Sequence, residues 1–168
     1  MKIFNLMLLA LLCLSNCNEF KRTIDSVRFH NNEDALVEKM INPELYSGAS
    51  TIGDYAIIVC YILYCKNEEA SEGIGNRLYV FLKDHPEKWN EMYSCIKSLP
   101  RQDIISVENF FARIILFEYF CSSPEPSRSD LYQRFPFLLK FSNCFSDMHK
   151  NEDIYTYWTR TNCIPNED

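Results

Sequence analysis

The sequence lacks the standard motifs of enzymes. It contains no His-Glu-x-x-His, no Gly-x-Ser-x-Gly and no P-loop, and the pair Gly73 and Gly75 follows no predicted strand. Its three histidines lie near predicted helix ends or in loops, and we interpret them as surface residues. No Cys-x-x-Cys occurs, which leaves zinc binding and thioredoxin-like chemistry without support. The sequence therefore predicts no metal site, no cofactor and no catalytic site that a motif would define.

N-glycosylation sites and membrane-spanning apolar runs are also missing. No asparagine stands in Asn-x-Ser/Thr, which favours a bacterial over a eukaryotic secreted protein. The apolar run Ile3–Leu14 is too short to cross a hydrocarbon core of ~30 Å at ~1.5 Å per residue. It follows the positive start Met1–Lys2 and precedes Ser15 and Asn16. This order of charge, apolar run and small residues predicts a signal peptide over residues 1–16.

The end of this leader resembles the lipobox of bacterial lipoproteins, in the four residues Leu14-Ser15-Asn16-Cys17. The resemblance covers residues 1–17 and implies that Cys17 carries diacylglycerol and becomes the first residue of the mature, membrane-anchored chain. No Asp follows the cysteine, so the resemblance implies anchoring at the outer membrane rather than the inner one. The alternative is ordinary cleavage after Ser15, which would release a soluble secreted or periplasmic protein.

Charge and length limit the partners and the domain count. The formal net charge is −6, and removal of the leader with its single charge, Lys2, gives −6 − 1 = −7. A negative chain is a poor ligand for nucleic acid or an anionic membrane surface, so contact with the membrane is expected through the N-terminal lipid. A basic protein is a permitted partner. We expect a lipidated N-terminus and tether over residues 17–31, followed by one domain over 32–168.

Six cysteines remain once the leader and the lipidated residue are set aside. An even number in an exported protein predicts disulfides, with fifteen possible connectivities, although buried free thiols in the core are the alternative. We expect at least one long-range disulfide, with Cys163 near the C-terminus as a member. The six are Cys60, Cys65, Cys95, Cys121, Cys144 and Cys163.

Helical periodicity dominates the rest of the chain and predicts an all-α fold. About six helices are expected, arranged as an irregular bundle or as stacked helical hairpins. Residues 18–31 show few helix signals, and the alternating aromatic stretch 154–159 resembles a strand, with one last helical turn as the alternative. The predicted helices cover residues 33–41, 51–65, 72–83, 86–99, 101–121 and 131–145, the last started or kinked at Pro136.

One carboxylate breaks the pattern of the fifth predicted helix. An apolar stripe on that helix centres at about 10° from Val107, at 100° per residue, and Glu118 falls at about 20°. We therefore expect Glu118 to point toward the core. Two interpretations remain: a general acid or a contact in a cleft, or a structural carboxylate paired with a buried Tyr hydroxyl or an Arg.

The aromatic C-terminal tail is the best candidate for an exposed binding patch. Most aromatic residues are expected to fill the core, since they supply its volume. The candidates for the patch are Tyr155, Tyr157, Trp158 and Arg160.

Three hypotheses for the function follow. The first is a non-enzymatic lipoprotein of the cell envelope that binds a protein partner; an immunity protein against a periplasmic toxin is one concrete version, by analogy in size, export and acidity. The second is a small envelope enzyme that uses Glu118 or a free thiol such as Cys163. The third is a structural envelope component whose aromatic tail pairs between copies. The sequence fixes neither the ligand nor the oligomeric state.

Overall fold

The structure, a computed structural model, describes residues 18–27, 33–47, 50–65, 71–141 and 144–162. Every regular element within these ranges is helical, which confirms the all-α prediction, although eight α-helices exceed the predicted six. No helix in the described ranges is both long and apolar enough to cross a membrane. The helices are α1 (18–27), α2 (Glu33–Ile41), α3 (Ile52–Tyr64), α4 (Ser71–Asp84), α5 (Pro86–Ile96), α6 (Arg101–Ser122), α7 (Arg128–Arg134) and α8 (Ile154–Asn162), with 3₁₀ turns at Pro43–Tyr46 and Pro136–Lys140.

The helix α1 corrects the prediction of a tether with few helix signals. Its residues Phe20 and Ile24 are buried, with 0% and 5% of their surface exposed. They lie four apart, which places them on one face of a helix. Two large apolar side chains at this spacing bind α1 to the core, so residues 18–27 are part of the folded domain. The predicted lipid attachment site, Cys17, lies outside the described residues.

Local signals fix the start of α3. The Thr51 hydroxyl accepts a hydrogen bond from the Asp54 amide, and the Asp54 carboxylate accepts one from the Thr51 amide at 2.6 Å. This reciprocal capping box satisfies two amides that have no partner in the first turn. The first half of the apolar run in α3 is buried, and residues 62–65 are half-buried.

The long helix α6 organises the core, since it packs against α3, α4 and α8. Beside it, Trp89 of α5 is fully buried among aromatic rings. Its ring stacks on Phe137 with centroids 4.8 Å apart and meets the edge of Phe111 at 5.0 Å. Rings in stacked and edge-to-face contact add specific attraction to the hydrophobic gain. This cluster joins α5, α6 and the 3₁₀ turn Pro136–Lys140.

Five buried or half-buried tyrosines donate hydrogen bonds to carboxylates. A phenol in the core needs an acceptor for its hydroxyl, and an ionised carboxylate is a strong one. Each of five tyrosines donates to such a group across 2.8 to 3.0 Å. The pairs are Tyr55 with Glu91, Tyr93 with Glu108, Tyr119 with Asp130, Tyr132 with Asp153, and Tyr157 with Asp147.

Two predicted elements near the C-terminus are wrong. The helix expected over 131–145 is divided into α7 and the 3₁₀ turn, because Pro136 cannot continue the hydrogen-bonding pattern, and residues 144–153 form no helix. The strand-like stretch 154–159 lies within α8, a helix of nine residues, so the alternative of a last helical turn was nearer the structure.

No disulfide joins any two of the five cysteines that the structure describes. Cys60, Cys95 and Cys144 are buried, Cys65 is half-buried, and Cys121 is exposed. The expected long-range disulfide is therefore absent among these five, and burial in the helical core accounts for three of them. Cys163 lies outside the described residues.

Candidate functional site

A groove of about 460 Å³ opens along one side of α6. Its size falls within the ~300–1,000 Å³ range of ligand pockets. The floor is formed by α6, one edge by Gly75 of α4, and the other wall by residues 145–147 and α8. Its lining is largely aromatic and apolar, with a few charged groups: Gly75, Phe110, Arg113, Ile114, Phe117, Glu118, Phe145, Asp147, Tyr157, Trp158, Thr161 and Asn162.

The floor of the groove includes Phe110 and Ile114, two residues of the α6 stripe that the sequence assigned to the core. The residues of α6 that are buried in the structure centre about 90° around the axis from Val107, whereas the predicted stripe centred at about 10°. Ala112 and Leu116 lie on the buried side, with 0% of their surface exposed. Phe117 points the other way and is 54% exposed. The helix is apolar on two faces, and the one that includes Leu116 is buried.

Glu118 consequently does not point into the core, which corrects the prediction. It is half-buried at the edge of the groove and makes no hydrogen bond or ion pair with any other described residue. The expected pairing with a Tyr hydroxyl or an Arg is therefore absent within that part of the chain. A carboxylate in this position can accept hydrogen bonds from a ligand without first leaving a partner.

The buried carboxylate of α6 is Glu108, which sequence reasoning missed. It is 5% exposed and accepts a hydrogen bond from Tyr93 at 2.9 Å. Burial raises the pKa of Glu108, and the hydrogen bond from Tyr93 opposes that rise. Glu108 thus plays the structural role that the sequence gave as one interpretation of Glu118.

The α8 wall of the groove is held by contacts to the loop before it. The Tyr157 ring stacks on Phe145 with centroids 4.4 Å apart, and its hydroxyl donates to Asp147 at 2.8 Å. Arg160 binds both carboxylate oxygens of Glu152, at 2.8 and 2.9 Å. These hydrogen bonds hold the pKa of Glu152 at about 2, with the Arg160 guanidinium as the main cause. The wall is therefore a fixed surface.

The four predicted patch residues have different surroundings. Trp158 is half-buried and lines the groove with Tyr157, which is only 8% exposed. Tyr155 is directed elsewhere: its ring stacks on Phe120 and its hydroxyl donates to the carbonyl of Pro126. Arg160 is engaged by Glu152. The structure therefore brings Tyr157 and Trp158 together with Glu118 in one groove, and leaves Tyr155 and Arg160 outside its lining.

Little in the groove provides for covalent chemistry. The lining residues named above include neither histidine nor cysteine, so Glu118 has no such group beside it among the described residues. Burial raises the pKa of the Cys60 and Cys144 thiols to about 12, which keeps both in the unreactive protonated form. Within the described ranges, no three His, Cys, Asp or Glu side chains are grouped as a metal site requires.

Sequence reasoning also missed Phe117 and Phe145, which line the groove. A usable signal existed on α6. Phe110, Ile114 and Phe117 follow a spacing of four and three residues, which is typical of a helical contact seam, and Arg113 and Glu118 flank it with opposite charges.

No protein-family model, no curated protein and no solved structure matches this chain.

Proposed function

We propose that this protein is a non-enzymatic binding module of the bacterial cell envelope, anchored through Cys17 and holding a protein partner in the groove beside α6. The observation that carries the proposal is Phe117, a phenylalanine more than half exposed on the floor of an apolar groove. An exposed apolar surface rimmed by polar groups marks a site of interaction. The lipobox-like leader supports the anchor and the location at the outer membrane.

The charge of the chain supports a basic partner. Its mature form carries a net charge of −6 − 1 = −7, and carboxylates at the groove belong to Glu118 and Asp147. A long-range attraction of this sign speeds the encounter with a positively charged protein. An immunity protein that neutralises a toxin in the periplasm is the concrete version we favour, by analogy of size, export and acidity.

Site-specific photo-crosslinking in living cells tests the binding surface. A photoreactive phenylalanine analogue replaces Phe117 in the full chain, and in a matched control it replaces Leu139, which is 64% exposed and outside the groove. We expect a discrete protein adduct from position 117 and none of the same mass from position 139. Equal adducts from both positions, or no adduct from 117, would overturn the proposed binding surface.

Lipid labelling tests the anchor separately. Cells fed a labelled fatty acid are expected to incorporate the label into the full chain and not into a Cys17→Ser variant. Membrane fractions are expected to retain the first protein and to release the second. An unlabelled native chain that begins at Met1 would contradict both the anchor and the location.

A further inference from the structure

The floor of the groove has the geometry of one half of a helix pair. Phe110, Ile114 and Phe117 lie on one face of α6, because residues three and four apart are neighbours on a helix. They correspond to the successive d, a and d positions of a heptad pattern. The stretch from Phe110 to Glu118 is about 12 Å long, at ~1.5 Å per residue, which matches a little over two turns of a second helix.

Opposite charges flank this seam. Arg113 directly precedes Ile114, and Glu118 directly follows Phe117, so the two lie at the g and e positions that pair with a facing helix. Neither forms an ion pair with another described residue. The guanidinium of Arg113 already lies over the Phe145 ring, 5.8 Å from its centre, and that contact accounts for its position. Glu118 has no comparable partner in the part of the chain that the structure describes.

The edges of the groove leave room above the seam. On the α4 side stands Gly75, which has no side chain, and an added Cβ there would lie 3.5 Å from Ile114. On the α8 side, Trp158 forms the wall, with Thr161 and Asn162 beyond it. A peptide that binds by strand addition would need an open sheet edge for its backbone, and the described residues form no strand. A helix needs no such edge, because its backbone hydrogen bonds are internal.

We infer that the groove binds one amphipathic helix of a partner protein, with apolar side chains against the α6 seam and a basic side chain beside Glu118. This inference rests on the proposed function of the groove and adds the form and the charge of its ligand. Apolar anchors at i, i+3 or i+4, and i+7 on the partner would meet Phe110, Ile114 and Phe117. Asp147 on the opposite side adds a second negative group to the same opening.

Two synthetic helical peptides test the inference. Both carry leucine at the seam positions over about three heptads and a neutral residue at the position that faces Arg113; one has lysine and the other glutamate at the position that faces Glu118. Trp158 reports binding through its fluorescence, since the second tryptophan of the chain, Trp89, is fully buried in the core away from the groove. A Trp158→Phe variant identifies the signal that belongs to the groove.

We expect the lysine peptide to bind the full chain about tenfold more tightly than the glutamate peptide. Glu118→Lys should remove or reverse that preference while circular dichroism shows the same helix content. Phe117→Ser should weaken binding of both peptides by about tenfold or more, and the matched surface change Leu139→Ser should leave both affinities unchanged.

The outcomes separate this inference from the proposed function. Equal binding of the two peptides, or a lysine preference that survives Glu118→Lys, would overturn the basic helix as ligand. If neither peptide binds while position 117 still gives a protein adduct in cells, the helix inference is wrong and the proposed function stands. If neither peptide binds and no adduct forms, both are wrong.

Discussion

Two faces of α6 are both apolar, but one is buried in the core and the other is exposed. One carries Ala112 and Leu116, fully buried against neighbouring helices; the other carries Phe117, with 54% of its surface exposed. Each face also carries a glutamate. Glu108 is buried with a tyrosine as its partner, and Glu118 is half-buried with none among the described residues. Apolar character alone therefore does not define a core, since the packing of the surrounding helices determines which apolar face is covered.

Truncating neighbours on the two faces should give the largest contrast. Leu116→Ala removes a fully buried side chain and leaves a cavity, so we expect a loss of about 2–5 kcal/mol in the free energy of unfolding. Phe117→Ala removes a side chain that is largely in water and should change it by less than about 0.5 kcal/mol. Urea denaturation at pH 7 measures both values. Similar losses for the two variants would mean that Phe117 belongs to the core.

Glu108 and Glu118 differ in burial, so we expect removal of their charges to affect stability differently. Burial raises the pKa of Glu108 above its ordinary value of 4.5, so the folded state favours the protonated form. Glu108→Gln keeps an acceptor for the Tyr93 hydroxyl and removes the charge. We expect a gain on the order of 1 kcal/mol in the free energy of unfolding at pH 7.

The gain in stability from Glu108→Gln should depend on pH. The contribution of Glu108 to stability is full below pH 4.5 and is lost as the pH rises through its folded value, so the advantage of glutamine should vanish below pH 4.5. Thermal unfolding at pH 7 and pH 4 checks this. Glu118→Gln is the matched control, and a comparable gain there would count against burial as the cause.

Acid should loosen the groove wall before it affects the buried face. The pKa of Glu152 is lowered from 4.5 to about 2 by Arg160, so its stabilising contribution is present above pH 4.5 and is lost as the pH falls toward 2. We expect Trp158 fluorescence to change over this interval while far-ultraviolet circular dichroism still reports helix. A Glu152→Gln variant should lack this step, and an unaltered step in that variant would exclude Glu152 as its source.

Local chemistry allowed much of the fold to be predicted, and tertiary contacts decided the rest. Prolines and the capping box set the starts of α3, α5 and α6, because these signals act within one turn. The aromatic and β-branched residues of α8 favour a strand, yet Ile154, Tyr157 and Trp158 also have helical spacing, and packing selects the helix.

The candidate site was harder to predict than the helices, because it depends on tertiary contacts. Glu118 was identified as a departure from the expected pattern and Trp158 as part of an aromatic patch, but their meeting in one groove depends on how α8 packs against α6. Periodicity places residues on a face of a helix and says nothing about which other helix covers that face. Phe117 was therefore missed, although it stands directly beside Glu118.

The smallest expected effect concerns the glycines of α4. Gly75→Ala replaces a residue that disfavours helix with one that favours it, and its new Cβ would lie in ordinary contact with Ile114 at 3.5 Å. We expect a gain of about 0.5–1 kcal/mol in the free energy of unfolding and about a twofold loss in affinity for the lysine peptide, since this edge of the groove becomes higher.

Gly73→Ala is the matched control, because a Cβ there meets nothing within 4 Å. It should stabilise by less, being nearer the start of the helix, and leave peptide binding unchanged. Should Gly75→Ala instead destabilise the fold while Gly73→Ala does not, α4 and α6 must pack too closely for a methyl group. The edge of the groove would then require a glycine for packing rather than for access.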